Sequence, residues 1–228
     1  MPKDTLEIGC ADSVEKRDAE RFYANMATAL HAMAQPLTVV RSAVVAAAAP
    51  GVKAADQRQY LDILSEQVER TCGLFQSLQQ LVAVNQIKAE RAPIEVSRLL
   101  APVVENQTLT YKALGVEIQA VIPDGLRPML GDMDRTLQAL FAALQIAGSV
   151  SSAGDVIELF VTSRNGFVEL IVQNRRAHGR RLNSSERLSL VLAEANIRSQ
   201  QGEFEYAEDP FCVSLMLPVL NIDQDIDT

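Results

Sequence analysis

The sequence lacks tryptophan and has few other aromatic residues, with 7 Phe and 4 Tyr among 228 residues. Since 48% of the residues are hydrophobic, a core in this chain must be built mainly from aliphatic side chains. The 3 cysteines stand far apart, so the sequence indicates neither a disulfide framework nor a metal site of paired cysteines. A reducing, cytoplasmic location is the simplest interpretation.

Long apolar runs and an excess of basic residues are also absent. The alanine-rich run 43–49 is too short to cross a bilayer, and the N-terminus has no apolar signal-peptide core. We therefore expect no membrane partner. The formal net charge is −8, and phosphate backbones bind basic surfaces, so we expect no nucleic-acid partner either.

The N-terminal part has the hydrophobic rhythm of long packed helices. Apolar residues recur at alternating spacings of four and three, which predicts a helix over residues 14–49. The members of this stripe are Met26, Leu30, Met33, Leu37, Val40 and Val44. Pro50 and Gly51 predict a turn, and a second helix of the same rhythm is expected over 54–88. Residues 14–90 are thus predicted to form an antiparallel helical hairpin, preceded by a flexible N-terminus, 1–13.

A lone hairpin leaves one side of each apolar stripe uncovered, so we expect a homodimer with a four-helix bundle. The pattern changes after residue 93 to short strands mixed with helices. A strand is expected over 94–96, a helix capped by Ser97, and a β-hairpin around Asn165-Gly166. The fold class is therefore α+β multidomain, with a second domain over 94–220 that has helices on one face of a mixed sheet.

Two further details of the C-terminal part are predicted. A serine at 184 or 185 is expected to cap the last helix. The acidic tail 221–228 carries Asp223, Asp225 and Asp227 and is expected to be solvated, with metal binding as the alternative.

The first predicted helix contains one of the chain's 2 histidines, His31, five residues before Pro36. A proline inside a helix costs roughly 3 kcal/mol, so its presence here asks for a reason. His31 follows the stripe position Leu30 and therefore lies at the flank of the stripe, where a partner can reach the imidazole. On the pattern alone, an ordinary surface histidine is the alternative.

The order of helical hairpin, histidine motif and a Gly-Asp pair at the start of a later helix resembles the catalytic core of two-component histidine kinases. The resemblance covers residues 20–219. In that family the phosphate-accepting histidine opens a motif of histidine, acid, two residues, a polar residue, proline and leucine. The matching residues are His31, Gln35, Pro36 and Leu37, and later Gly131 and Asp132. The resemblance implies that the second domain is a GHKL-like α/β sandwich and that His31 accepts phosphate.

Four departures from the kinase pattern bear on ATP. Ala32 replaces the acid that serves as base, and Ala142 and Ile146 stand near the expected metal-binding asparagines. Residues 174–179 lack the Asp-x-Gly-x-Gly box that binds adenine, and 185–190 lack the glycines that cradle phosphates. We therefore predict that this chain binds neither ATP nor magnesium, so it has no cofactor.

The same outline is similar to histidine phosphotransferases of the ChpT type, which exchange phosphate with receiver-domain aspartates. This resemblance implies a cytoplasmic phosphotransfer protein with a response-regulator receiver domain as partner and His31 as acceptor. Gln35 would position a water or contact the receiver, with a solvated helix position as the alternative. Thr38 and Arg41 are candidates for the receiver-docking surface.

Two other functions stay open on the sequence alone. One is a divergent sensor histidine kinase that binds ATP through substitute residues, and the other is a non-catalytic pseudokinase scaffold that binds a response regulator. The basic segment 175–181, which contains His178, is either a patch for an acidic partner or a solvated loop that offsets an acidic surface.

Overall fold

The computed structural model describes the backbone of residues 5–220 and the side chains of residues 20–220. The acidic tail 221–228 and residues 1–4 lie outside the described residues. The chain divides into two compact units, Met1–Val82 and Ala83–Thr228. This division falls inside the segment 14–90 that the sequence assigns to a single hairpin.

The first unit contains two long helices, α1 (Thr5–Ala47) and α2 (Ala54–Gln86), joined by residues 48–53. Gly51 in this connection has a φ of +83°, a conformation that glycine adopts without strain. Helix α1 begins at Thr5 rather than near residue 14. No proline interrupts the chain between Pro2 and Pro36, and the lone Gly9 costs a helix only about 1 kcal/mol.

The predicted apolar stripe of α1 is not the face that is buried most deeply. The buried residues there are small: Ala29, Ala32, Pro36 and Ala43. Three members of the predicted stripe are partly buried: Met26, Met33 and Val40. The other three are exposed, and they follow one another at seven-residue intervals. The exposed residues are Leu30, Leu37 and Val44 on α1, matched by Leu61, Val68 and Phe75 on α2. Within one chain, the predicted stripe is therefore only partly covered, and small residues form the most deeply buried positions of α1.

The second unit is a mixture of helices and strands, as expected. Its elements are β1 (Ala92–Ile94), α3 (Val96–Ala113), β2 (Glu117–Val121), β3 (Met129–Gly131), α4 (Met133–Val150), β4 (Val156–Arg164), β5 (Phe167–Asn174), α5 (Ser184–Arg198), β6 (Glu203–Glu208) and β7 (Phe211–Pro218). Five strands form one mixed sheet in the order β2-β4-β5-β7-β6, with β2 parallel to β4 and all other pairs antiparallel. Strands β1 and β3 form a separate antiparallel pair.

The core of this unit is aliphatic, as the scarcity of aromatic residues predicts. Leu159 lies opposite Val172, and Leu170 lies opposite Leu215, and all four side chains are buried on one face of the sheet. Helix α4 contributes nine buried residues to the unit. Most of the stability of such a core comes from apolar area removed from water, at about 25 cal/mol per Å².

The predicted hairpin turn is confirmed, the predicted cap of α3 is wrong, and α4 has a cap that the sequence was not used to predict. Asn165 and Gly166 have φ values of 51° and 80°, the pair of positive values that a tight hairpin turn requires. Asp132 caps α4 by accepting a hydrogen bond from the Arg135 N–H at 3.1 Å. Helix α3, however, begins at Val96, so Ser97 lies inside its first turn, and Glu95 holds the cap position without a side-chain hydrogen bond.

A close helix contact fixes the position of α3 against α4. The Tyr111 hydroxyl donates to the Leu144 carbonyl oxygen, and the tyrosine is buried. Burial raises the pKa of Tyr111, so its hydroxyl keeps the proton that it donates. A Cβ added at Gly148 would lie 2.6 Å from Tyr111 Cε1, so only glycine fits beneath the ring without displacing it.

Candidate functional site

His31 lies on the exposed side of α1. Leu30 before it is 57% exposed, whereas Ala32 after it is 1% exposed. Among the described residues, none forms a hydrogen bond or ion pair with the His31 imidazole. The exposed side chain can therefore be reached by an incoming group, as a nucleophile requires.

Pro36 lies inside α1, which continues to Ala47. Because proline has no N–H, the carbonyl of Ala32 receives no helical hydrogen bond from four residues ahead. The helix therefore lacks one of its regular backbone hydrogen bonds next to His31. Pro36 itself is buried, which explains how the helix tolerates it: the ring packs as an apolar side chain.

The three other residues predicted from the sequence are all exposed on α1. Gln35 and Thr38 follow His31 by four and seven residues and share its face of the helix. The Thr38 hydroxyl donates to the Ala34 carbonyl oxygen at 2.8 Å, so its rotamer is tied to the backbone. Arg41 is ten residues after His31, about 80° around the helix axis, and does not share that face.

Asn174 stands at the end of β5, where the resemblance places the adenine-binding aspartate, and it is 0% exposed. Its Nδ2 donates to Ser151 Oγ at 2.7 Å and to Asp155 Oδ2 at 3.3 Å. Its Oδ1 accepts from the N–H groups of Arg176 at 2.9 Å and Ala177 at 3.2 Å. An amide side chain has two donor hydrogens and two acceptor lone pairs, so the hydrogen-bonding capacity of Asn174 is used inside the protein.

The two positions of α4 that correspond to metal-binding asparagines have different surroundings. Ile146 is 3% exposed and belongs to the hydrophobic core. Ala142 is half-buried and packs against the same core. Neither side chain has a polar atom, so neither can hold a cation or donate to a phosphate.

The start of α5 is occupied by the protein's own side chains. Asn183 Oδ1 accepts from the N–H groups of Ser185 and Glu186 at 2.9 and 3.0 Å, and Glu186 Oε2 accepts from the Asn183 N–H at 2.8 Å. Asn183, rather than a serine, is therefore the cap. Because asparagine can orient its oxygen toward both N–H groups, it takes the two donors that a phosphate at this helix end would need.

The Glu186 carboxylate is also paired on its other side. Its Oε1 accepts from Ser149 Oγ at 2.7 Å and lies 3.3 Å from Arg180 Nη2. The place where the kinase pattern has a glycine turn is thus filled by the side chains of Asn183, Glu186 and Arg180. The first two cap the helix, and the third pairs with Glu186.

The basic segment 175–181 is tied to nearby acids. Arg175 pairs with Glu158 at 2.9 Å, and His178 Nδ1 lies 2.7 Å from Asp209 Oδ1. The His178 hydrogen bond, together with one from the Gly179 N–H, lowers the pKa of the Asp209 carboxyl. This pairing supports the interpretation as a loop that offsets an acidic surface. Within residues 20–220, no group of three or more His, Cys, Asp or Glu side chains is placed to hold a metal ion.

A polar cluster at the start of α4 was missed by sequence reasoning. Gln200 is 0% exposed, and its Oε1 accepts from the Asp132 N–H at 2.6 Å and from Thr136 Oγ1 at 3.2 Å. Gly131 makes this contact possible, since a Cβ there would lie 2.7 Å from Gln200 Oε1. The Gly-Asp pair was recognised, but no local signal reveals its partner more than sixty residues later in the chain.

Together the two-helix unit, the mixed sheet and the Gly-Asp helix define a histidine-kinase-like fold. The chain is similar to the histidine kinase AdeS of Acinetobacter baumannii, with 16% identity and a TM-score of 0.61 over 84% of this chain and 98% of that one. It is similar to a histidine kinase of Burkholderia phymatum, with 14% identity and a TM-score of 0.51 over 85% and 98%.

A third structure holds a partner. It is the histidine kinase ThkA in complex with the response regulator TrrA, with 13% identity and a TM-score of 0.67 over 96% of this chain and 68% of that one. No protein-family model and no curated protein matches the sequence. At these identities the likenesses show the fold alone. In the part of the chain that the structure describes, no helix has the length and apolar character needed to span a membrane.

Proposed function

We propose that this chain is a histidine phosphotransfer protein of a two-component phosphorelay. In this proposal His31 carries phosphate between receiver-domain aspartates, and the second unit binds no ATP. The observation that carries the proposal is the internal saturation of Asn174 together with the exposure of His31. The chain keeps an accessible nucleophile while the place for adenine recognition serves the protein's own packing.

The chemistry needs little from this chain. A lone pair on a ring nitrogen of neutral His31 attacks the phosphorus of an aspartyl phosphate. The bond from phosphorus to the aspartyl oxygen breaks, the carboxylate leaves, and the proton on the other ring nitrogen passes to solvent. The receiver supplies the magnesium and the acidic pocket, so the phosphotransfer protein supplies only a positioned nucleophile.

The missing acid at position 32 fits this division of labour. A histidine kinase uses that acid as a base for transfer from ATP, whereas aspartyl phosphate is a reactive acyl phosphate that needs no such help. Ala32 is also 1% exposed, so a carboxylate there would lose most of its hydration. The position therefore favours a small apolar residue.

A receiver domain is the proposed partner. The solved complex of ThkA with its response regulator supports this class of partner for a chain of the same fold. Gln35 and Thr38 share the His31 face and would contact the receiver or position a water beside the phosphorus. Arg41, which is rotated away from His31 about the helix axis, would contribute only at the margin of that surface.

A homodimer is also part of the proposal, with two helical hairpins pairing as a four-helix bundle. The exposed residues Leu30, Leu37 and Val44 form a row seven residues apart, and α2 has a corresponding row. Large apolar side chains at this spacing are the seam of a helical bundle. Burying the exposed half of each would contribute about 1 kcal/mol per side chain, and a second copy brings an identical row.

The test compares two phosphate donors. Full-length protein is incubated with labelled ATP and magnesium, and separately with receiver domains phosphorylated by labelled acetyl phosphate. We expect the wild type to take up label from at least one receiver, whereas His31→Ala should take up none. Neither protein should take up label from ATP. His178→Ala is the matched control, because it removes the other histidine and should label like wild type.

The outcomes separate the three functions. Label from ATP on the wild type but not on His31→Ala would show a divergent histidine kinase. No label from any receiver, with the receiver still bound in a pull-down, would favour the non-catalytic scaffold. Thermal unfolding with ATP and magnesium gives an independent check, because a ligand at 100 times its dissociation constant adds about 2.7 kcal/mol of stability. We expect no such shift.

A further inference from the structure

Arg135, in the first turn of α4, joins three segments of the second unit. Its Nη2 donates to the Ile87 carbonyl oxygen at 2.6 Å, and its Nη1 donates to the Val84 carbonyl oxygen at 3.3 Å. Nη1 also donates to Ser199 Oγ at 2.7 Å, just beyond α5. The arginine side chain is only 11% exposed. One guanidinium therefore holds the end of α2, the start of α4 and the end of α5.

Arg135 is itself held in place by Asp132, the residue that caps α4. Asp132 accepts from the Arg135 N–H and lies 3.6 Å from its Nε. The Oδ2 atom of Asp132, which is the one near Arg135 Nε, also accepts from the Glu90 N–H at 3.1 Å, in the segment that follows α2. Gln200 in turn fixes the Asp132 N–H. The guanidinium is thus pre-positioned by contacts on two sides, so little entropy is lost when it binds the carbonyls.

The end of a helix is where such a cation is most effective. Carbonyls at the C-terminal end of a helix lack the N–H partners of a following turn, and the helix dipole places partial negative charge there. The planar guanidinium of Arg135 reaches two carbonyls at this end at once, Val84 inside α2 and Ile87 just after it, through two different nitrogens. The end of α2 is therefore tied directly to the first turn of α4.

The division between the two compact units lies between Val82 and Ala83, inside α2 and just before the clamped carbonyls. We propose that Arg135 is a clamp that makes the end of α2 part of the second unit. Residues 83–90 are then expected to open only together with the start of α4. Arg135 is a positioning residue in this inference, which is independent of the proposed phosphotransfer.

Hydrogen exchange on the full-length protein tests the clamp. In the wild type, amides of residues 83–90 are expected to share the protection of α4. In Arg135→Met they should exchange at least tenfold faster, while the amides of β4 and β5 keep their wild-type rates. The matched control is Arg187→Met, which removes an arginine paired with Glu208 at 2.9 Å elsewhere in the same unit. It should leave residues 83–90 unchanged.

Two milder variants keep the test decisive if Arg135→Met loosens the whole unit. Ser199→Ala removes one of the three guanidinium contacts. Arg135→Lys keeps the positive charge but replaces the planar guanidinium with an ammonium group, which cannot donate to the same acceptors at once. Both should give rates for residues 83–90 between those of wild type and Arg135→Met. The inference is overturned if residues 83–90 are unprotected in the wild type. It is also overturned if their rates in all three variants match those of Arg187→Met.

Discussion

Replacing Asn174 with aspartate would restore the residue type of the kinase adenine box, and we expect it to destabilise the protein at neutral pH. Asn174 Nδ2 lies 3.3 Å from Asp155 Oδ2, so Asn174→Asp places two carboxylates in contact at a position that is 0% exposed. At an effective dielectric constant of 20, two like charges at that separation repel by about 5 kcal/mol. The Ser151 hydroxyl donates to the Ala147 carbonyl oxygen at 2.6 Å and would lose that hydrogen bond if it turned to donate to the new carboxylate, which adds to the cost.

Protonation sets an upper limit to the cost. The pair can relieve the repulsion by holding a proton, which raises the pKa of one carboxyl. For a carboxyl with an ordinary pKa of about 3.9, staying protonated at pH 7 costs about 4 kcal/mol. We therefore expect Asn174→Asp to lower the free energy of unfolding by about 2–4 kcal/mol at pH 7. A group whose folded pKa is raised loses stability as pH rises, so the cost should fall toward zero near pH 4.

Urea unfolding followed by circular dichroism at pH 7 and pH 4 measures this difference. Gln173→Glu is the matched control, because it makes the same change of charge at the next residue, also beside an acid. Gln173 is only half-buried, and Arg175 pairs with the same Glu158, so its cost should be much smaller. A cost below about 0.5 kcal/mol for Asn174→Asp at pH 7, or one independent of pH, would refute the reasoning. So would ATP-dependent stabilisation of the variant.

Three further predictions concern packing, assembly and pH. Gly148→Ala, which forces a methyl against the Tyr111 ring, should cost about 1–3 kcal/mol in urea unfolding; an unchanged midpoint would contradict the contact. Leu37→Glu, at an exposed stripe position, should convert a dimer to a monomer in sedimentation; a dimer that persists would reject the proposed seam. His178 lowers the pKa of Asp209, so the stability that His178→Ala loses should vanish as acid protonates Asp209; a loss that persists at pH 2 would contradict this.

Local signals in the sequence were sufficient for much of the fold. The turn at Asn165-Gly166 needs positive φ at both positions, which only a few residue types allow, so the pair predicts a hairpin without any tertiary information. The start of α4 at the Gly-Asp pair was likewise predicted to within one residue, and Asp132 proves to be the cap that precedes this helix. The alternation of spacings three and four predicted both helices of the first unit.

Long-range partners were beyond the reach of the same reasoning. The role of Asn174 depends on Ser151 and Asp155, which come from the α4–β4 connection about twenty residues earlier. The contact of Gln200 with the start of α4 depends on the tertiary packing that brings the end of α5 beside α4. The deeply buried alanines of α1 were missed for a related reason: hydrophobicity ranks leucine above alanine, but close helix contacts favour small side chains.

The exposed row of Leu30, Leu37 and Val44 would make the stability of this protein depend on its concentration. If a second copy covers the row, as proposed, the folded form is stabilised by mass action and its stability rises with concentration. A cell making few copies would then hold more unpaired hairpins, whose apolar rows invite proteases and chaperones. The paired fraction, and with it the resistance of the protein to degradation, would then rise with copy number.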